Sequence, residues 1–403
     1  MACMTLNATP LTSGPVTVLW NQDDSVISLN YQNQPLPVAR SSVFARITLG
    51  PPVKFSAGQS EMITNLLNAV AALPETERRK KIYLSTAIFE HLNFQASVPN
   101  PWLTNCVWRA ILDHVWQWEK TNEVIHKGTP YYFMAENCVH MGDVASAYIC
   151  FYNAVEEDKK NYPALSKDFK SAPAYLTVSL VNNSNNRLHQ SMVLPLRSYL
   201  DSLLQKYNAS FRGNLSLSKL DKVFLQSDDL DSIKSFFVAN LHEIYHLAPL
   251  NSSNMIGNDY SMLKVIDSLF NLALVVDQIL AYRFLQGVTG RERNMANSIY
   301  QLALHLKLVT KVNVRDPSDY LSKVRPKLND PTSTPDTILP SYLDASATYD
   351  TKPLDSRMRV ALAAYYLRNY GGHHLEGSQT VIKRYEDVLR SVLDAVFISI
   401  ETL

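Results

Sequence analysis

The chain has 403 residues, with 46% hydrophobic and 19% charged residues and only 12 glycines. That is enough for two or three domains, and the balance excludes a largely disordered chain. Lys and Arg number 38 against 37 Asp and Glu, a net charge of +1, so no global field draws nucleic acid or membrane and any nucleic-acid site has to be local. Four cysteines without a C-x-x-C pair, Cys3, Cys106, Cys138 and Cys150, fit free thiols in a reducing cytoplasm rather than a disulfide framework or structural zinc. No basic segment leads into an apolar core at the start, and no run of about 18 apolar residues occurs. The expectation is therefore a cytoplasmic protein with no membrane partner.

Residues 1–55 carry period-two patterns. Val16–Trp20, Val26–Tyr31 and Val43–Leu49 are rich in β-branched and aromatic residues, and Gly14-Pro15, Asn21 to Asp24 and Gly50-Pro51-Pro52 separate them. The pattern predicts a short N-terminal β segment, either a small sheet or an extended arm. From Ser56 the period lengthens and predicts helices near 57–73, 75–93 and 102–121. The third holds Trp102, Trp108, Trp116 and Trp118, a stripe that reads as core, with an interaction face as the alternative.

Residues 128–161 read as one helix-turn-helix unit. Ala135, Ala147 and Ala154 let two helices approach, Gly142 permits a tight turn and Phe151 fills the groove,. This spacing resembles a tetratricopeptide repeat unit, with a generic αα-hairpin as the plainer reading. Patterns at 164–182 and 186–207 suit continued stacking, so 56–210 is expected to be a tetratricopeptide-like helical region able to dock a regulatory protein.

A polar connection follows at 208–222. Four long helix patterns then run near 229–248, 260–286, 290–310 and 355–370, and a last one at 379–403 carries a stripe of Ile382, Tyr385, Leu389, Val392, Val396 and Ile400,. Residues 312–353 hold Pro317, Pro326, Pro331, Pro335, Pro340 and Pro353, which predicts a long irregular insertion carrying the cations Arg315, Lys323, Arg325 and Lys327. The segment 228–403 is thus expected to be an all-α bundle.

The most informative residues lie between its last two helices: Arg368-Asn369-Tyr370-Gly371-Gly372-His373, followed by His374. Arg offers a permanent cation with a planar donor fork suited to phosphate, and His moves protons near neutral pH. Five steps along an unbroken helix would turn His373 roughly 140° from Arg368. Gly371-Gly372 tolerates the conformations that end a helix, which would let His373 swing back beside the Arg. A plain helix-terminal Arg and a loop His make the alternative.

This stretch resembles the signature of the HEPN superfamily, in which an Arg, a polar residue, three variable residues and a His lie where one bundle helix gives way to the last. The resemblance covers roughly 228–403, although the motif itself is six residues. It implies a dimeric, metal-independent endoribonuclease with no cofactor and RNA as the partner, of the kind found among toxins and defence effectors. On that resemblance Arg368 polarises the scissile phosphate, His373 is general acid or base, Asn369 orients the pair and His374 contacts substrate. The family often adds an acidic or polar residue from an earlier helix, for which Asp267, Asn271 and Asp277 are candidates. Other members are inactive binding modules.

A second motif competes. His242-Glu243-Ile244-Tyr245-His246 spells H-E-x-x-H on an expected helix, which puts two imidazoles one turn apart as zinc ligands with Glu243 as base. No third ligand follows in the form known for such peptidases, and Pro249 ends the helix pattern soon after. The sequence therefore predicts a mainly α protein: a tetratricopeptide-like region, then a HEPN-like bundle. The leading function is RNA cleavage. The alternatives are a non-catalytic helical interaction or dimerisation protein and, behind it, a zinc metallopeptidase.

Overall fold

The computed structural model describes residues 10–13, 16–20, 27–31, 34–35, 53–96, 100–161, 179–181, 188–225, 228–252, 259–328, 334–370 and 378–403. The chain is mainly helical and divides into two compact units, residues 1–178 and 179–403. None of the helices among the described residues is long and apolar enough to cross a membrane.

The first unit opens with an antiparallel meander of four strands, β1 (Pro10–Ser13), β2 (Val16–Trp20), β3 (Ile27–Tyr31) and β4 (Gln34–Pro35), in the order 1-2-3-4. Val16 opposes Tyr31 and Trp20 opposes Ile27, so β2 and β3 match the two alternating runs read from the sequence. The expected strand at 43–49 lies outside the described residues.

Among the described residues five helices follow in this unit: α1 (Ala57–Ala71), α2 (Arg78–Ala96), α3 (Pro101–Glu119), α4 (Gly128–Met141) and α5 (Val144–Asn161). α1 starts on a capping box in which Ser56 Oγ accepts from the Gln59 amide while Gln59 Oε1 accepts from the Ser56 amide,. Pro101 occupies the first turn of α3 behind an Asn100 cap,. Ile63, Leu66, Leu67, Leu84, Ile88, Phe89, Val107, Trp108 and Ile111 form the core. The tryptophan stripe splits. Trp108 and Trp118 are buried, their indole N–H groups donating to Asn93 and Asn68 at 2.9 and 3.0 Å, whereas Trp102 and Trp116 are 49% and 42% exposed. Four ring positions on one 19-residue helix exceed what a single buried face can hold, so half of them point away from the core,.

The αα-hairpin at 128–161 forms as expected. Gly142 ends α4 at φ 76°, Asp143 Oδ1 caps α5 through the Ser146 amide, and Ala135, Ala147, Phe151 and Ala154 are buried between the helices,. Just ahead of it, Lys127 is buried with its ammonium 2.6 Å from Glu119, and His126 lies 2.7 Å from Asp158. These pairs tie the end of α3 to α5. The helix expected at 164–182 falls mostly outside the described residues.

The second unit begins at Ser179, so the helix α6 (Leu194–Phe211), entered through a π turn at His189–Val193, groups with the C-terminal segment rather than with the repeat-like region. Asp221 gathers the start of the unit: its carboxylate accepts from the Ser179 hydroxyl and the Leu180 and Val181 amides, with the buried Lys234 ammonium 3.4 Å away. The polar connection expected at 208–222 contains a helix, α7 (Leu217–Leu225). Ser216 caps it, and Leu220 is fully buried. Its apolar residues Leu217 and Leu220 fall at helical spacing, but nine residues make a short periodic window after a polar, loop-like run,.

α8 (Asp228–Ser252), α9 (Asp259–Phe284), α10 (Met295–His305), α13 (Ser356–Tyr370) and α15 (Tyr385–Glu401) make the bundle, with α9 packed against α8, α10, α13 and α15. α15 carries the stripe read from the sequence, with Tyr385, Leu389, Val392, Val396 and Ile400 all buried. Its far end is tied back by Glu401, which accepts from Tyr207 Oη at 2.8 Å and from the Asn214 amide at 3.1 Å.

The insertion is folded rather than irregular. It holds α11 (Pro317–Ser322), α12 (Pro335–Leu343) and a three-stranded antiparallel sheet of β5 (Val324–Arg325), β6 (Thr348–Tyr349) and β7 (Lys352–Pro353). Two of its prolines start helices at their first turn, where no amide hydrogen is needed,. Tyr320, Ile338, Leu339 and Tyr342 give it a core of its own, and α12 rests on α13. Asp336 on α12 accepts from Ser378 Oγ at 2.7 Å and from the Thr380 amide at 2.8 Å. It thereby fixes the start of α14 (Gln379–Lys383), the short helix that leads into α15.

Candidate active site: an arginine held at the rim of a cleft

Arg368 sits in the last turn of α13, after an almost continuous buried run from Val360 to Leu367. That run fixes the helix against α9, and Arg368 is the first side chain past it to reach solvent. α9 presents Ala273, Val276 and Leu280 to the core, with Asp277 beside them and 6% exposed. The two meet across the helix pair: Arg368 Nε donates to Asp277 Oδ2 at 3.1 Å. Arg368 Nη1 donates to Asn369 Oδ1 at 3.3 Å. Among the described residues no group accepts from Nη2, and the side chain is 40% exposed. The guanidinium is thus gripped on one edge and open on another, the posture needed to meet an oxyanion.

Burial raises the Asp277 carboxyl above its ordinary value, while Arg368 and then Arg293 pull it back down. Two cations therefore act on one buried carboxylate. They border an open cleft of about 440 Å³ lined, among the described residues, by Asp277, Gln278, Arg293, Asn294, Tyr365 and Arg368. Arg293 is exposed and forms no ion pair among the described residues. Asn294 caps α10 through the Asn297 amide at 2.9 Å, which aims the start of that helix at the same cleft.

Of the residues singled out in the sequence, Arg368 and Asn369 stand here together, and Asp277 is the acidic partner among the three candidates on α9. Asp267 and Asn271 do not line the cleft. His373 and His374, with Gly371 and Gly372, lie outside the described residues. Arg293, Asn294 and Tyr365 were not singled out. Arg293 follows a two-glycine turn with Glu292 beside it, which reads as an ordinary solvated loop, and no spacing rule links it to Arg368.

The H-E-x-x-H segment lies within α8. His242 is 4% exposed, and its Nε2 donates to the Met192 carbonyl at 2.9 Å. That nitrogen is used in holding α8 to the π turn before α6. Glu243 is half-buried, and the His246 side chain lies outside the described residues. Among the described residues no group of three or more His, Cys, Asp or Glu side chains is arranged to hold a metal ion.

In the first unit, Cys106, Cys138 and Cys150 are free thiols. Cys138 Sγ accepts from Asn105 Nδ2 at 3.3 Å, and a hydrogen bond from Cys150 holds its thiol below the usual value. Comparison with protein-family models, with curated proteins and with solved structures finds no match to this chain.

Proposed function

We propose that the chain is a metal-independent endoribonuclease whose site is built around Arg368. The observation that carries this reading is the Arg368–Asp277 pair: a cation anchored through Nε on a buried carboxylate, with its outer edge facing a cleft. Uniform surface arginines are not anchored in this way, and orienting the fork beforehand is what makes a guanidinium effective against a developing phosphorane charge. In the reaction the ribose 2′-hydroxyl attacks the adjacent phosphorus and the bond to the 5′-oxygen breaks. The products are a 2′,3′-cyclic phosphate and a 5′-hydroxyl. His373 takes or returns the proton, Arg368 neutralises the charge gained by the non-bridging oxygens, Asn369 steadies the Arg, and His374 contacts substrate. Two copies of the chain, each contributing one Arg–His motif, would supply both an acid and a base.

The first unit would then govern the second. Trp102, Trp116 and Ile149 are large apolar side chains exposed on α3 and α5, which supports a docking role for the tetratricopeptide-like region and fits a toxin or defence effector restrained by a partner. The test is end-group analysis of RNA incubated with wild-type protein in excess EDTA. Cyclic phosphate and 5′-hydroxyl ends are expected. A 3′-hydroxyl with a 5′-phosphate requires attack by water and would overturn the mechanism.

A further inference from the structure

The cleft beside Arg368 does not end there. It continues into a second open cleft of about 610 Å³, and Asn294, Ala296 and Tyr365 line both. The second is further lined by Asp316, Pro317, Ser318, Leu321, Lys327 and Leu328 of the insertion. Its composition changes along its length. Near Arg368 stands Arg293, and at the far side stands Lys327, which is exposed and forms no ion pair among the described residues. Two neighbouring cations of the insertion are engaged elsewhere. Lys323 binds Asp319 and the Asn313 carbonyl, and Arg325 donates to the Ser322 and Val324 carbonyls. Between Arg293 and Lys327, Pro317, Leu321 and Leu328 supply an apolar stretch of wall beside the polar Asn294, Ser318 and Ser322.

We propose that this groove, from Arg293 to Lys327, carries the single-stranded RNA that flanks the cleaved bond, with Arg293 and Lys327 each neutralising a phosphate and the apolar wall lying against a base. Two cations spaced along a groove with an apolar face between them match a phosphate–base–phosphate repeat. Asp277 and Asp316, the two carboxylates that line the groove among the described residues, are both engaged: the first by Arg368, the second as the cap of α11 through the Asp319 amide. A duplex keeps its bases stacked and paired inside and could not lay one against the apolar face, so the groove suits a single strand. The insertion thereby becomes part of the substrate site. The inference rests on the ribonuclease reading for the identity of the ligand.

The experiment separates binding from cleavage. A fluorescein-labelled 2′-O-methyl RNA octamer of mixed sequence cannot be cut by 2′-hydroxyl attack, so its anisotropy reports binding alone. Wild type, Arg293→Ala, Lys327→Ala, the double variant and a control, Lys206→Ala on α6, are titrated at several salt concentrations. Each groove substitution is expected to weaken binding about 3- to 10-fold and to lower the salt slope by about 0.7. The control is expected to match wild type, and a duplex of the same sequence to bind at least about tenfold more weakly. Thermal melts by circular dichroism confirm that the variants fold. Equal affinity and slope in the double variant and the control, equal binding of duplex, or no binding by wild type would each overturn the groove. Cleavage of unmodified RNA that persists while the groove variants bind normally would sink the groove and leave the nuclease standing. Weakened binding by the groove variants, in a protein that cuts no RNA, would sink the nuclease and leave the groove.

Discussion

Arg368 and Asp277 lie 91 residues apart in sequence and meet at 3.1 Å, at the end of one bundle helix and in the middle of another. The pair is asymmetric: Asp277 is almost buried, and Arg368 is 40% exposed. Asp277 therefore acts as the fixed point and Arg368 as the reaching group. Asp277→Asn keeps the shape and removes the charge. It is expected to lower kcat for RNA about 10- to 100-fold, by loosening the guanidinium, with KM little changed. Because burial already raises the Asp277 pKa, the neutral isostere is expected to leave the melting temperature unchanged or higher. A loss of stability equal in size to the loss of rate would reduce Asp277 to a structural residue.

The same pair sets a pH dependence. In Arg368→Ala the buried carboxyl loses its main counter-charge, so its folded pKa rises further above its unfolded value. A raised carboxylate pKa stabilises the fold at low pH and loses that contribution as pH climbs through the folded value. The melting-temperature deficit of Arg368→Ala against wild type is therefore expected to be larger at pH 8 than at pH 4, by about 2–4 °C. Asp277→Asn/Arg368→Ala is expected to show no such difference.

Asp394 on α15 makes a cleaner titration. Burial pushes its carboxyl up to about 7, with Arg390 pulling it down only in part. Its folded pKa exceeds the unfolded value, so its contribution is full below about pH 4 and is lost as pH rises to 7. Asp394→Asn is expected to raise the melting temperature at pH 8, on the order of 5 °C, and to leave it unchanged at pH 4. Calorimetric scans at the two values decide it.

Asp336 ties the folded insertion to the segment that follows the Arg–His motif. It accepts from the Ser378 hydroxyl and from the Gln379 and Thr380 amides. Burial opposes the charge, but these hydrogen bonds outweigh it and hold the carboxyl below its usual range. Its contribution is present above the unfolded pKa and is lost as pH falls through the folded one. Asp336→Ala is expected to destabilise the second unit by about 1 kcal/mol, as loss of a helix cap does. It is also expected to slow cleavage, since Ser378, the cap of α14, lies five residues after His373. Urea unfolding at pH 7 gives the first, and single-turnover RNA cleavage the second.

In the hairpin of the first unit, Gly142 ends α4 at φ 76°, where a side chain is strained, while a methyl at Gly58 in α1 would meet nothing within 4 Å. Gly142→Ala is expected to cost about 1 kcal/mol, and Gly58→Ala to add about 0.5 kcal/mol, through the unfolded chain. Urea midpoints of the two variants should move in opposite directions.

Long, strongly periodic segments were legible in the sequence. α9 and α13 fall within a few residues of their expected spans because apolar residues recur along them at helical spacing, whereas the single helix expected at 379–403 is broken at Arg384 into α14 and α15,. The hairpin at 128–161 was legible for the same reason, with Gly142 marking its turn. α7 was not, although Leu217, Leu220 and Phe224 recur at helical spacing, because nine residues make a short periodic window and the polar run from Asn208 to Ser216 before it reads as loop,. The insertion misled through its prolines: Pro317 and Pro335 begin helices rather than forbid them. Within the candidate site, Arg368 and Asn369 are neighbours in sequence, so a local motif singles them out. Asp277 was one of three candidates on its helix, and only packing of α9 on α13 picks it out. Arg293 and Lys327 reach the cleft by tertiary folding across about 30 to 75 residues, a relation that no local pattern encodes,.

The most direct measurement is the rate at which purified protein cuts mixed single-stranded RNA in excess EDTA, for wild type beside Arg368→Ala/His373→Ala. Cleavage that survives the chelator and falls at least about 100-fold in the double variant is the predicted result. Equal cleavage by the two proteins, or none by wild type, would contradict the assignment of Arg368 to RNA chemistry.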